Sequence, residues 1–406
     1  MSLPVKKRQE ISGRVRNGSS EYYRRIADGL RFLKWASIIS VFLLVLATFV
    51  LYRHEMTLDN FRYILRYVNF DIGTDYRSSN QITYTAEPGT KYGYLKGDLA
   101  MVSPTRFSVY EFTGQELTGD RINYLNPTLL TNGRYALIYD LTGKELALYN
   151  SNSCLFEKDF TYGIKAAALR SDGTFAVVSS DSFVSSSVSV YGQSFENDYT
   201  VSSTDKEILA ASLPDDTKRL DLLMLHASEG DFLVHLRSYD MKSKSDTFAS
   251  EALIVGEFPL RMVSEKDSVA VLTDKMLRFY DRDLLPISEY TLGSGRIESF
   301  YESEDYIALT YKKDVSGVSR IRVFSKDGRE IDSGNLDVRV LSFASEGNNV
   351  YILERERLGI YEVSESGSLE LKRTEEFSED FGYTEVFALS GNKYVLASDS
   401  GAGKFE

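Results

Sequence analysis

From residue 80 onward one segment recurs about every forty residues, and this spacing constrains the fold more than any other feature of the chain. The segment is a short apolar strand that ends in an aromatic and meets a polar or Gly-containing turn, as in FSVYEFTG, ELALYNSN and LRFYDRD. Its aromatics are Tyr110, Tyr149, Tyr191, Tyr239, Tyr280, Phe324 and Tyr361, at intervals of 39, 42, 48, 41, 44 and 37 residues; a further 44 residues reach Phe405. Ahead of each aromatic lies a turn dipeptide, among them Gly97-Asp98, Asn132-Gly133, Asp172-Gly173, Gly347-Asn348 and Gly391-Asn392. Gly, Asn and Asp accept the backbone angles that tight hairpins require. Both series count eight units. A repeat near forty residues is that of a four-stranded propeller blade, whose sheet cannot bury both faces without neighbours. The expected fold is all-β, an eight-bladed β-propeller over residues 80–406, with seven blades as the alternative.

Each unit places one strand before the turn, one after it, a third ending in the aromatic and a fourth beyond. The eighth unit (EVFALS, KYVLAS, GAGKFE) has only three. Residues 81–86 (QITYTA) precede the first full unit and have no partner of their own, so they are expected to supply the missing strand. Such closure removes a free sheet edge.

The segment before the repeat reads differently. Residues 36–51 carry no charge, Trp35 and Tyr52 flank them, and Lys34 and Arg53 close the ends. A helix over residues 35–52 would be about 27 Å long, close to the thickness of a hydrocarbon core, with its aromatics at the interfaces. Residues 1–34 hold nine Lys or Arg against three acidic side chains, which predicts a cytoplasmic N-terminus. Phe49, Val50 and Leu51 do not form a small-x-small cleavage site, so the run reads as an uncleaved signal-anchor. Beyond it, Leu58, Phe61, Ile64, Leu65 and Val68 repeat at helical spacing and predict an amphipathic helix over roughly residues 57–70. The expected organisation is a basic cytoplasmic tail (1–34), a transmembrane helix (35–52), a stalk with a short helix (53–79) and an extracytoplasmic propeller (80–406).

Charge and cysteine usage narrow the function. The chain carries a net charge of −12, and residues 53–406 alone carry an acidic excess of 18. That excess argues against nucleic acid or anionic lipid as the main partner of that part. Cys154 is the single cysteine, so no intrachain disulfide can form. An exported domain of this size without disulfides points to the cell surface of a Gram-positive bacterium.

No Walker loop, nucleophile elbow, H-E-x-x-H or C-x-x-C occurs, and neither a catalytic residue nor a cofactor or metal site is assigned. His226 and His235 flank a turn at Glu229 and Gly230; that turn would set His226 opposite Leu233 and His235 opposite Met224, on one sheet face. Two histidines among apolar neighbours read as ordinary sheet residues, and Cys154 as an inert strand thiol. The first strands of the units would line the propeller channel. They place Lys165, Arg261, Arg296, Glu298, Arg339 and Glu385 near its axis or mouths, where a polar ligand or mutual ion pairing would engage them.

LIYDLTGKELALY (137–149) and VFSKDGREI (323–331) resemble the D-x-x-T-G-K-x-x-W repeats of propellers related to pyrroloquinoline-quinone dehydrogenases. Those repeats dock blades through Trp, and this chain's only Trp is Trp35, so no quinone cofactor is carried over. The order of basic tail, span, stalk helix and Tyr-rich propeller looks like a family of unknown function among Gram-positive membrane proteins, which brings no activity with it. The leading expectation is a non-catalytic scaffold that binds protein or cell-envelope partners outside the membrane. The competing readings are a carbohydrate-active enzyme and a ligand sensor, each using the channel.

Overall fold

The computed structural model describes residues 30, 32–47, 50 and 81–406, except 96, 181–183, 216, 229, 293–295, 313–318, 338, 365–366 and 379–380. The chain divides into two units, Met1–Tyr67 and Val68–Glu406. In the first, residues 32–47 are helical with exposed side chains. Among the described residues no helix is long and apolar enough to cross a membrane. Residues 48, 49, 51 and 52 of the expected span lie outside the described residues, as do most of the basic tail and the expected stalk helix.

The second unit is a β-propeller of eight four-stranded antiparallel sheets. Blades 1 to 7 comprise residues 91–121, 127–159, 164–203, 207–255, 259–291, 296–337 and 342–376. Blade 8 joins Tyr383–Leu389, Lys393–Ser398 and Gly401–Phe405 to Gln81–Thr83, with Gln81 opposite Gly403 and Thr83 opposite Gly401. Tyr84 and Ala86 prolong this contact, donating their backbone N–H groups to Ser400 O at 3.2 Å and Asp399 O at 2.9 Å. The closure expected of residues 81–86 and the count of eight both hold.

Why the second strands read as unbroken apolar runs follows from their position. In Tyr135–Asp140 of blade 2, Ala136 and Ile138 pack on blade 1, whereas Tyr135, Leu137 and Tyr139 pack on blade 3. In blade 5, Val269 and Val271 face blade 4, and Ala270 and Leu272 face blade 6. Successive side chains of a strand point to opposite sheet faces, so a strand with a neighbour on each face must be apolar at every position. Eight such clusters, each shared by two consecutive blades, close the ring.

The counted aromatics are the docking groups of this arrangement. Tyr149 of blade 2 packs against Phe107 of blade 1 with ring centroids 4.3 Å apart. Tyr191, Tyr239, Tyr280, Phe324, Tyr361 and Phe405 likewise join the cluster shared with the preceding blade, and Tyr110 joins that shared with blade 8. In six blades the pairing of third and fourth strands slips by one residue immediately before the aromatic, as between Leu148 and Tyr149. A bulge there bends the strand and re-aims its last side chain toward the neighbouring blade. Tyr and Phe thus do the docking for which the resembling repeats use Trp.

Strand alternation sorts the connections onto two faces. Turns between first and second and between third and fourth strands share face 1; second-to-third hairpins and the links between blades share face 2. Gln81 starts its strand on face 1. Blade 4 departs from its neighbours: Arg219–Ser228 and Asp231–Asp240 are ten residues each, which accounts for the longest interval, 48 residues. Its first strand pairs no further along than Leu225, so the two arms of the hairpin at its tip, residues 226–228 and 230–233, project beyond it on face 2.

Candidate functional site

The central channel opens on face 1 through two cavities of about 920 and 530 Å3, which share Thr131, Glu302, Ser303 and Glu304 in their walls. Between them they touch the first strand of every blade. Small side chains such as Ala167, Ala211 and Ala344 leave the space open, and Tyr94, Phe300, Tyr301 and Phe387 stand half-buried along it.

A carboxylate cluster guards this mouth. Lys326, from the third-to-fourth turn of blade 6, pairs with Glu265 at 2.5 Å and Glu302 at 3.7 Å. The channel walls desolvate the Glu302 carboxyl and push its pKa up, against the pull of Lys326, although 51% of its side chain remains exposed. Burial raises Glu304 and Asp305 as well, reinforced for Glu304 by Asp305 and Glu346 and for Asp305 by Glu346 and Glu265. Because Glu265 and Glu302 turn to one ammonium, the mouth holds an ion-paired knot rather than an acid facing a base across open space.

Of the six residues singled out from the sequence, Glu385 lines the cavity, where its carboxylate accepts from Ser342 Oγ at 2.9 Å. Lys165 pairs with Glu207 of the next blade and donates to Ser186 Oγ at 3.3 Å. Glu298 pairs with Lys312 at 2.7 Å and accepts from Ser319; these contacts, together with the nearby Arg296, hold its pKa down. Arg261 is exposed and donates to Leu260 O at 3.2 Å. Arg339 precedes the first strand of blade 7, Ser342–Glu346, instead of lying within it. The six are distributed around the ring and do not converge. Glu265, Glu302 and Lys326 are not among the six; Glu265 and Glu302 stand beside the first-to-second turns Lys266-Asp267 and Glu304-Asp305.

Glu385 carries a pH prediction. Burial raises its pKa, so the folded ring holds this proton more firmly than the unfolded chain does. The stabilisation is present below the ordinary Glu value and is lost as pH rises through the raised one. Glu385→Gln removes the cost of ionisation; the thermal midpoint should rise by about 1–2 °C at neutral pH and stay unchanged near pH 4. An equal shift at both pH values would refute that assignment.

The two histidines take the expected register, Met224 opposite His235 and His226 opposite Leu233. His226 Nδ1 lies 2.7 Å from Asp205 O, and His235 Nδ1 lies 2.8 Å from Glu251 Oε1, which Arg237 shares at 2.7 Å. Among the described residues no three His, Cys, Asp or Glu side chains are placed to hold a metal ion. Cys154 is exposed, but partial desolvation by its neighbours pushes its thiol up to about 11, leaving little thiolate at neutral pH.

The projecting hairpin of blade 4 forms a second candidate region. Phe232 at its tip meets Phe258, in the link to blade 5, edge to face with ring centroids 5.5 Å apart. Leu260 at the start of blade 5 follows Phe258 in the chain, and Leu253 and Val255 lie on the outer strand Ser250–Val255, on the sheet face opposite to Phe232. All five are exposed, from 38% for Leu260 to 56% for Val255, while Ile254 between Leu253 and Val255 is buried. Gly256 N donates to Phe232 O at 2.8 Å, tying the link to the hairpin.

A model described as a family of unknown function, DUF5711, matches residues 71–404. No curated protein matches. Among solved structures, one described as a eukaryotic initiation factor is 12% identical, with 76% of this chain and 81% of that chain covered and a TM-score of 0.50. Hsv2 of Kluyveromyces lactis is 11% identical over 71% of this chain and 98% of that one, with a TM-score of 0.46. BamB of Moraxella catarrhalis is 10% identical over 68% and 96%, with a TM-score of 0.36. At these identities the likeness concerns the fold alone.

Proposed function

We propose that this chain, which belongs to the DUF5711 family of unknown function, is a protein-binding scaffold whose partner docks on the projecting hairpin and outer edge of blade 4. The observation that carries this reading is the exposed aromatic pair Phe232 and Phe258, with Leu260 two residues further along the chain and Leu253 and Val255 exposed on the other face of the same outer edge, in a strongly acidic ring. Aromatic side chains grouped in this way supply most of the energy of protein interfaces, and monomers seldom leave them open without use. In the same reading residues 35–52 anchor the chain in a membrane, with residues 1–34 in the cytoplasm and the propeller outside. The uncharged run, its flanking aromatics and the basic tail support that half of the proposal.

A photo-crosslinking amino acid at Leu253, in cells of the native host, tests both halves. The expected result is a discrete adduct in the membrane fraction, absent when the label replaces Thr200 on the outer strand of blade 3. Phe258→Asp should weaken that adduct at least about tenfold. Equal labelling from both positions would overturn the docking site, and adducts confined to the soluble fraction would overturn the anchor.

A further inference from the structure

Lys165, Lys206, Lys312, Lys326, Lys372 and Lys393 each form an ion pair. One cleft gathers lysines without such partners. On face 1, where the turns of blades 4 and 5 come together, a cavity of about 460 Å3 is lined by Lys218, Lys242, Lys266 and Arg282. All four side chains belong to exposed residues, and among the described residues none of the three lysines has a carboxylate within ion-pair distance. Arg282 is only loosely engaged, 4.0 Å from Asp283.

Like charges gathered from four turns repel one another, and the chain holds 59 acidic residues from which partners could have been drawn. Three acidic residues do line the cleft. Asp283 is the loosely held partner of Arg282, and Asp240 spends Oδ1 on the backbone N–H of Lys242 at 3.0 Å, shaping the turn that carries that lysine. Asp267 sits beside Lys266, whose carbonyl is held by Arg219 Nη1 at 3.0 Å. Cations therefore outnumber acids here, on turns fixed by the fold, in a domain that is otherwise strongly negative.

We propose that this cleft binds a multivalent phosphate-bearing anion, whether free in solution or as a lipid headgroup. Several ammonium groups around an open cleft suit an anion with more than one charge, and the acidic surroundings favour an anion at this place over the rest of the ring. The site is separate from the apolar edge of blade 4 and does not depend on it.

Titration of the full chain in neutral detergent with inorganic triphosphate, at about 20 mM salt where screening is weak, tests the proposal. Saturable binding should weaken as salt rises and fall at least about tenfold in the combined variant Lys218→Gln, Lys242→Gln, Lys266→Gln. Lys91→Gln with Lys144→Gln, exposed lysines elsewhere on the ring, should leave it unchanged. Short-chain phosphatidylglycerol that displaces triphosphate, where phosphatidylcholine does not, would assign a lipid source; failure of both to displace it would assign a free anion. No saturable binding, an unaffected triple variant, or an equal loss in the control pair would each overturn the site.

Discussion

A chain that starts at residue 90 should melt far below one that starts at residue 80, although the two differ by only ten residues. The difference is the strand that closes the ring. Gln81–Thr83 pairs with Gly401–Phe405, and the backbone N–H groups of Tyr84 and Ala86 continue the ladder to Ser400 and Asp399. Ile82 is 3% exposed in the cluster between blades 8 and 1, and Tyr84 stacks on Tyr110 with centroids 5.7 Å apart. Burial of two such side chains is worth about 1.5–3 kcal/mol each, and each backbone hydrogen bond adds about 0.5–1.5 kcal/mol. The loss is on the order of 5–10 kcal/mol, similar to the whole stability of an ordinary domain. It also leaves Gly401–Phe405 as an open edge that favours association. Calorimetry of the two chains checks this: the shorter should unfold at much lower temperature or aggregate, and equal midpoints would show that the ring closes without residues 81–86.

The closure was legible before the structure because it is a question of counting. A three-stranded last unit and an unclaimed strand ahead of the first are visible in the sequence once the period is known. The period itself was legible because one physical task, docking each blade on the blade before it, recurs at one place. Tyr149, Tyr280 and Phe324 mark that place as plainly as Trp would. The candidate site was less readable for the opposite reason. Membership of a first strand says that a side chain is near the channel, but not whether it turns inward or is satisfied locally. Lys165 finds Glu207 in the next blade and Glu298 finds Lys312 across its own sheet, pairings that depend on blade geometry. Lys326 reaches the channel mouth from a third-to-fourth turn, a connection that lies outside any first-strand reasoning. The apolar edge of blade 4 escaped for a similar reason: Leu253 and Val255 look like core residues until their own strand is known to be the last of its sheet.

The same dependence on neighbouring blades makes Arg219→Ala the most damaging single substitution expected outside the apolar core. Arg219 is 13% exposed at its side chain and donates from Nε to Asp221 Oδ2 at 2.9 Å. Its two other nitrogens reach the first turn of blade 5, at Lys266 O (3.0 Å) and Glu265 O (2.6 Å). Arg170 repeats the device one blade earlier, pairing with Asp172 and donating to Thr217 O at 2.8 Å. Asp221 is fully buried, its Oδ1 has no hydrogen-bond partner, and burial pushes its pKa up despite the guanidinium. Without Arg219 the carboxylate must either stay charged in the interior or take up a proton at neutral pH, and breaking such a buried pair typically costs about 3–5 kcal/mol. The penalty should shrink as pH falls, because a protonated Asp221 needs no counter-charge. Arg219→Ala combined with Asp221→Asn should recover stability at neutral pH but not the two bonds to blade 5, so the double variant should melt between the single variant and the parent. The comparison separates a buried charge from a lost staple. If the single variant loses as much stability at about pH 4 as at neutral pH, the staple alone accounts for the effect; if it loses none at either pH, Arg219 holds neither blade nor charge.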